Sequence, residues 1–103
     1  MQNKVKDFNN NKNAHLKQMP VHSRILDIQS EVGELSKEYL KITRYGTENF
    51  DVNINFKLEF GDVLYSLLSL ANEININADQ CLNLAIKKYQ DRLNNKNNMG
   101  SSN

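Results

Sequence analysis

Two short stretches carry the side chains that could do chemistry together. Glu31-Val32-Gly33-Glu34 and Glu59-Phe60-Gly61-Asp62 each place two carboxylates three residues apart. On an α-helix, positions i and i+3 share a face about one turn apart, so each stretch is a pair of acids aimed the same way. Two such pairs facing each other across a bundle would bring four carboxylates together. Like charges share a small volume only if a cation sits among them. Hard oxygen donors without an accompanying histidine or thiolate suit Mg²⁺, with Mn²⁺ as an alternative, better than Zn²⁺. Such a Mg²⁺ neutralises and orients a polyphosphate and eases deprotonation of an attacking water. A spare glutamate can take that water's proton. Lys87 and Arg92, further along the chain, would then contact the phosphates.

The competing reading is a solvated helix face, and for either pair alone it is the commoner outcome. Against it stands the neighbourhood: Glu59 and Asp62 lie between Leu58, Phe60, Val63 and Leu64, a poor place for uncompensated charge. Pairing with lysine is another compensation that spacing does not exclude. Lys87 and Arg92 serve plain solubility equally well. Tyr45 and Tyr65 could stack on a base, but core filling or surface exposure is commoner. His22 reads as a helix-start residue and His15 as a solvated loop histidine.

The elements that must position these acids are helices. Met19-Pro20 reads as a break, and a helix is expected from about His22 or Ser23, with Ser23 as N-cap. Ile25, Ile28, Val32, Leu35, Tyr39 and Ile42 then repeat at 3, 4, 3, 4, 3, a packing seam held for about five turns. Asp27, Glu31, Glu34 and Glu38 form a second stripe beside it, at the edge of the buried face. Gly33 costs about 1 kcal/mol against alanine in mid-helix and would let another backbone or a substrate come close. Gly46 is the expected stop. Asp51 or Asn53 caps a third helix from about Ile54 to Asn75. Its apolar residues run nearly all round, more than so short a chain can cover, which predicts a homodimer or homotetramer. Asn77-Ala78-Asp79-Gln80 is a capping-box variant opening a fourth helix to about Leu93. Leu82, Ala85, Ile86, Tyr89 and Leu93 are expected to face inward, with Cys81 near them.

The remainder sets bounds. A chain of 103 residues is one domain's worth, and 13 basic against 12 acidic residues argue for no nucleic-acid partner. No apolar run reaches the length of a membrane span, and no secretory leader is expected from Met1-Gln2-Asn3-Lys4. One cysteine makes no internal disulfide, which fits a reducing, cytoplasmic setting. The expected fold is all-α, a small bundle of about four helices completed by oligomerisation. Residues 1–19 form a polar N-terminal segment with a short helix near Gln2–Asn10, 20–93 the helical domain, and 94–103 a frayed polar tail.

Ile28 to Glu38, with Glu31-Val32-Gly33-Glu34-Leu35, and Glu59-Phe60-Gly61-Asp62-Val63-Leu64-Tyr65 together resemble the MazG-like nucleotide pyrophosphohydrolases of the all-α NTP pyrophosphatase superfamily. The resemblance covers about residues 20 to 93. Carried over by position, it implies Glu31, Glu34, Glu59 and Asp62 as Mg²⁺ ligands, with Glu31 and Glu34 also catalytic, and Lys87 and Arg92 as substrate-binding residues. It implies cleavage of a nucleoside triphosphate between its α and β phosphates, in nucleotide housecleaning, by dimers or tetramers with sites near subunit boundaries. The chain departs from the pattern at Ser30, where the family has a further glutamate, and at Asp91, where it has asparagine. The nearest rival within the superfamily is a phosphoribosyl-ATP pyrophosphohydrolase. The rival of another class is a catalytically silent helical interaction module on the same scaffold.

Overall fold

The computed structural model of the chain describes residues 1–11 and 20–101, with side chains through residue 96. The described residues form α1 (Gln2–Asn11), α2 (Val21–Thr43), α3 (Ile54–Glu73) and α4 (Ala78–Ser101), with no strand among them. His15, read as a loop histidine, lies outside the described residues, as do Leu16 and Met19.

The helix ends follow local chemistry, in places differently from the sequence reading. α2 begins at Val21 with Pro20 as its N-cap at φ −54°, three residues ahead of the expected Ser23 cap. Proline's fixed φ suits that entry without any side-chain cap. At the other end the left-handed region is entered before the expected Gly46, by Arg44 (φ 45°) and Tyr45 (φ 59°), and Gly46 follows at φ 86°. Thr43 holds this strained turn. Its hydroxyl donates to Tyr39 O and accepts from Gly46 N, and the residue is 1% exposed. Asn53 caps α3, its side chain accepting from Phe56 N at 2.8 Å. α3 stops at Glu73, and Asn75 (φ 58°) supplies the left-handed residue that lets Ile76 N bond back to Ala71 O. Asn77 Oδ1 accepts from Gln80 N at 2.9 Å, the first half of the expected capping box.

α2 and α3 pack antiparallel, and α1 lies on the second half of α3. The asparagine-rich start of the chain, too sparse in apolar residues for a strong face, docks instead through carboxamides. Gln2 donates to Ile76 O and accepts from Ala78 N, both at 2.7 Å, so it clamps the α3–α4 junction. Asn72 Nδ2 donates to Gln2 O, Asn9 Nδ2 donates to Ser69 Oγ, and Tyr65 OH donates to Asn9 Oδ1. Val5 is buried beneath this ladder, and Phe8 meets Tyr65 edge-on at 6.1 Å.

α4 departs from the other three. It continues to Ser101, so residues 94–101 are helical where a frayed tail was expected. Its supposedly inward residues face solvent within this chain: Leu82, Ile86, Tyr89 and Leu93 are all exposed, and so is Cys81. Among the described residues α4 packs along neither α2 nor α3, which leaves that face uncovered by them. The radius of gyration is 18.2 Å, against about 13 Å for a compact domain of this length. Val5, Leu68 and Ala71 are the only buried apolar residues among those described.

Candidate metal centre

The α2–α3 contact line is polar. On α3, Glu59, Asp62, Ser66, Ser69 and Glu73 recur at spacings of 3, 4, 3 and 4, a core-facing period filled with hydrophilic side chains. On α2, Arg24, Asp27 and Glu31 meet them. Of the apolar stripe beside these acids, Ile25, Val32 and Tyr39 are more than two-fifths exposed, while Ile28, Leu35 and Ile42 are half-buried. The sequence reading placed the acids at the edge of a buried apolar seam; in the structure Arg24, Glu38 and Ser66 are more deeply buried than any residue of that seam.

Near the middle of this line, one carboxylate oxygen from each of Glu31, Glu59 and Asp62 lies within 4.8 Å of the others. Glu31 and Glu59 are half-buried and Asp62 is exposed, so the group opens to one side. Burial pushes the Glu31 carboxyl above its ordinary value, and the charges of Asp62, Asp27, Glu59 and Glu34 push it further. The donors suit a hard cation: three carboxylates, no histidine and no thiolate. Around an octahedral Mg²⁺ adjacent oxygens stand about 3.0 Å apart and opposite ones about 4.2 Å, so rotamer shifts that draw the three oxygens closer would be needed to close the group on one.

Of the four expected ligands, the structure brings together these three and leaves Glu34 outside the group. Three residues turn a helix about 300°, which carries Glu34 about 60° off the line of Glu31. Its side chain is half exposed, 3.9 Å from Lys37 Nζ. Seven residues bring the helix back to within about 20°, and Glu38 is accordingly buried on the contact line, 3.7 Å from Lys41. Lys87 and Arg92 lie on the unpacked α4 and are not brought to the acids within this chain. Lys87 pairs with Asp91 at 3.2 Å on an exposed surface, and Arg92 is exposed. Gly33 and Gly61, between the paired acids, face open space: a Cβ added at either meets nothing within 4 Å. Among the described residues no closely approaching backbone accounts for either glycine.

A charged network that the sequence reading missed continues the line from the acids toward the α2 N-terminus. Arg24 is 8% exposed and donates through Nε and Nη2 to Glu73 Oε1, at 3.2 and 2.9 Å. Its Nη1 stands 3.6 Å from Asp27 Oδ2, which also accepts from Ser66 Oγ at 3.1 Å. Glu73 Oε2 is buried without a partner. The clue was the 3-4 spacing of polar residues on α3, hidden by two apolar tracks on the same helix.

Compared with known proteins, the chain matches no family model, no curated protein and no solved structure. No helix among the described residues is long and apolar enough to cross a membrane.

Proposed function

We propose that the chain is a Mg²⁺-dependent nucleoside triphosphate pyrophosphohydrolase, hydrolysing NTP or dNTP to the monophosphate and pyrophosphate as a cytoplasmic housecleaning enzyme. The observation that carries this reading is the convergence of Glu31 with Glu59 and Asp62, drawn from two stretches 28 residues apart, at a half-buried position of like charge. Among the described residues no ion pair neutralises that group, and a cation bridging it to a triphosphate would. Glu31, Glu59 and Asp62 would hold the ion, which supplies charge neutralisation for the phosphates and acidifies a bound water. Glu34, outside the group and more exposed, would take a proton and pass it to solvent.

The reading includes self-association into a homodimer or homotetramer. The chain exposes 8402 Å², against roughly 6,000 Å² for a compact protein of its mass. The surplus is the size of a permanent interface. Large apolar side chains on three helices, among them Val32, Phe60, Leu67 and Leu82, make up part of it. In such an assembly a second copy's α4 would lie over the α2–α3 pair and bring Lys87 and Arg92 toward the phosphates.

The test is pyrophosphate release across a panel of nucleoside triphosphates with Mg²⁺, for the natural chain and Glu59→Gln, alongside calorimetry with Mg²⁺ and a non-hydrolysable nucleotide. Metal-dependent release lost in Glu59→Gln supports the assignment. No heat with either ligand and no release would leave a helical interaction module.

A further inference from the structure

Four residues, 74–77, join α3 to α4, and the hydrogen bonds there fall into two sets. Ile74 N, Asn75 N and Ile76 N bond back to Leu70 O, Asn72 O and Ala71 O, which fastens the junction to α3 as far as Ile76. Asn77 accepts from Gln80 N and Cys81 N, which belong to α4. Among the described residues no bond of the junction itself runs from the first set to the second. Gln2, on α1, makes that crossing: Nε2 donates to Ile76 O and Oε1 accepts from Ala78 N, both at 2.7 Å. A carboxamide suits the place because Ile76 O needs a donor and Ala78 N an acceptor. The other side-chain bonds of α1 go to α3, through Asn72, Ser69 and Tyr65. α1 is thus anchored along α3 and reaches past its end to hold the start of α4.

The hold is light. A polar notch of about 320 Å³, lined by Gln2, Asn3, Lys6, Asn72, Asn75 and Asn77, lies beside the clamp, so water can take up either bond as it breaks. Val5 is the one buried residue of α1. A segment held by few apolar contacts and by exposed hydrogen bonds undocks well before the whole fold opens. Among the described residues α4 has no packing along α2 or α3 to fix its direction instead. A short connection containing Asn75 at φ 58° is where a pivot would act. We propose that α1 is a strap that sets the direction of α4: docked, it holds α4 away from α2 and α3, and undocked, it frees α4 to pivot about residues 74–77. On the function proposed above, the strap would govern how Lys87 and Arg92 are presented to a second copy; the strap itself rests on the bonds at the junction.

The experiment measures distances within one chain. Spin labels go on Gln29→Cys in α2 and Asn94→Cys in α4, both exposed positions, in a Cys81→Ser background, and labelled chain is diluted into unlabelled chain so that only pairs within one copy are read. Asn94 stands about 24 Å along α4 from Ala78, so a swing of about 10° moves its label by about 4 Å. Pulsed dipolar spectroscopy then compares the natural strap with Gln2→Ala and Val5→Asp, and amide hydrogen exchange at Ala78 is followed alongside. Two hydrogen bonds correspond to about 5–30-fold in the docking equilibrium. Gln2→Ala is expected to speed exchange at Ala78 by that factor and to broaden the distances. Val5→Asp puts a charge beneath α1 and undocks it while Gln2 is kept, so it should broaden the distances as well. Unchanged distances in Gln2→Ala overturn the proposal. Unchanged distances in Val5→Asp also overturn it, because Gln2 then serves only as a local cap for Ala78 N. Neither readout involves metal or nucleotide, so failure of the strap leaves the proposed function standing, and failure of that function leaves the strap.

Discussion

Replacing Glu31 with glutamine should stabilise the metal-free protein, and the size of the gain follows from the geometry. Glu31 has two carboxylates within 4.8 Å. At that separation, two unit charges in a water-like dielectric repel by about 0.9 kcal/mol. The water-like value is the appropriate one because Asp62 is exposed and the group opens to solvent. Two such neighbours give a repulsion of about 1–2 kcal/mol at low ionic strength, and salt should reduce it. For a chain of this size each kcal/mol moves Tm by about 4–8 °C. Glu31→Gln is therefore expected to melt several degrees above the natural chain, measured by circular dichroism without metal at mildly alkaline pH.

The pH dependence carries the sign of the argument. Burial and the neighbouring carboxylates raise the Glu31 carboxyl above its ordinary value of 4.5. A carboxyl raised on folding binds its proton more tightly in the native state. Its contribution is fully present below the unfolded value and is lost as pH rises through the folded one. The gap between variant and natural chain should accordingly be absent in acid and open as pH rises above about 4.5. Millimolar Mg²⁺ should shrink or invert it, because the natural chain then gains binding free energy that the variant lacks. A glutamine variant less stable than the natural chain at alkaline pH, or a gap that does not change with pH, would refute the convergence of these acids.

Four further outcomes follow. Glu59→Gln should weaken Mg²⁺ binding, read by calorimetry, more than Glu34→Gln does, because Glu34 lies outside the group; equal losses would place Glu34 among the direct ligands. Arg24→Ala removes the cation from the half-buried Glu73 and Asp27 carboxylates and should lower stability in urea unfolding, by less than the roughly 3–5 kcal/mol of a fully buried broken pair because Asp27 keeps solvent and Ser66. Ile86→Asp on α4 should lower the mass measured by light scattering if that face meets a second copy, and should leave a monomer unaffected. Gly33→Ala should raise monomer stability by about 1 kcal/mol, since its added methyl meets nothing in this chain; loss of association in the same variant would show that a partner's backbone approaches there.

The class of fold was legible because its signals are local. Apolar period, the Asn53 and Asn77 caps, and the break at Pro20 all act within a turn or two of where they are written. The α2 stop was legible only in part: the left-handed residues include Arg44 and Tyr45, and it is Thr43, buried and bonded on both sides, that makes them tolerable. The docking of α1 was not legible, since carboxamides carry no period and Gln2 finds its partners more than 70 residues away. For the candidate site, pairing within each stretch came from helix geometry alone. Which member of a pair turns inward depends on the angle at which α2 meets α3. That angle admits Glu31, Glu59 and Asp62, and it buries Glu38 while sparing Glu34.

The polar contact line also explains why so much apolar surface stays uncovered. A helix has one circumference. If acids, serines and an arginine occupy the strip where α2 and α3 touch, the apolar strips must flank it, and they do: Val32 and Tyr39 on one helix, Phe60 and Leu67 on the other. A single pair of helices with a charged seam and bare flanks buries little and repels along its middle. On the proposed reading its stability would gain from two additions of different kind. A cation would relieve the repulsion at Glu31, Glu59 and Asp62, as Arg24 already does one to two turns away. Further helices would cover the flanks, and α4, whose apolar residues are exposed among the described residues, has the composition for that. Metal and association would thereby be coupled through one geometric fact. Whatever presses the flanks together also presses the acids together, so assembly should tighten metal binding, and metal should tighten assembly by the same factor.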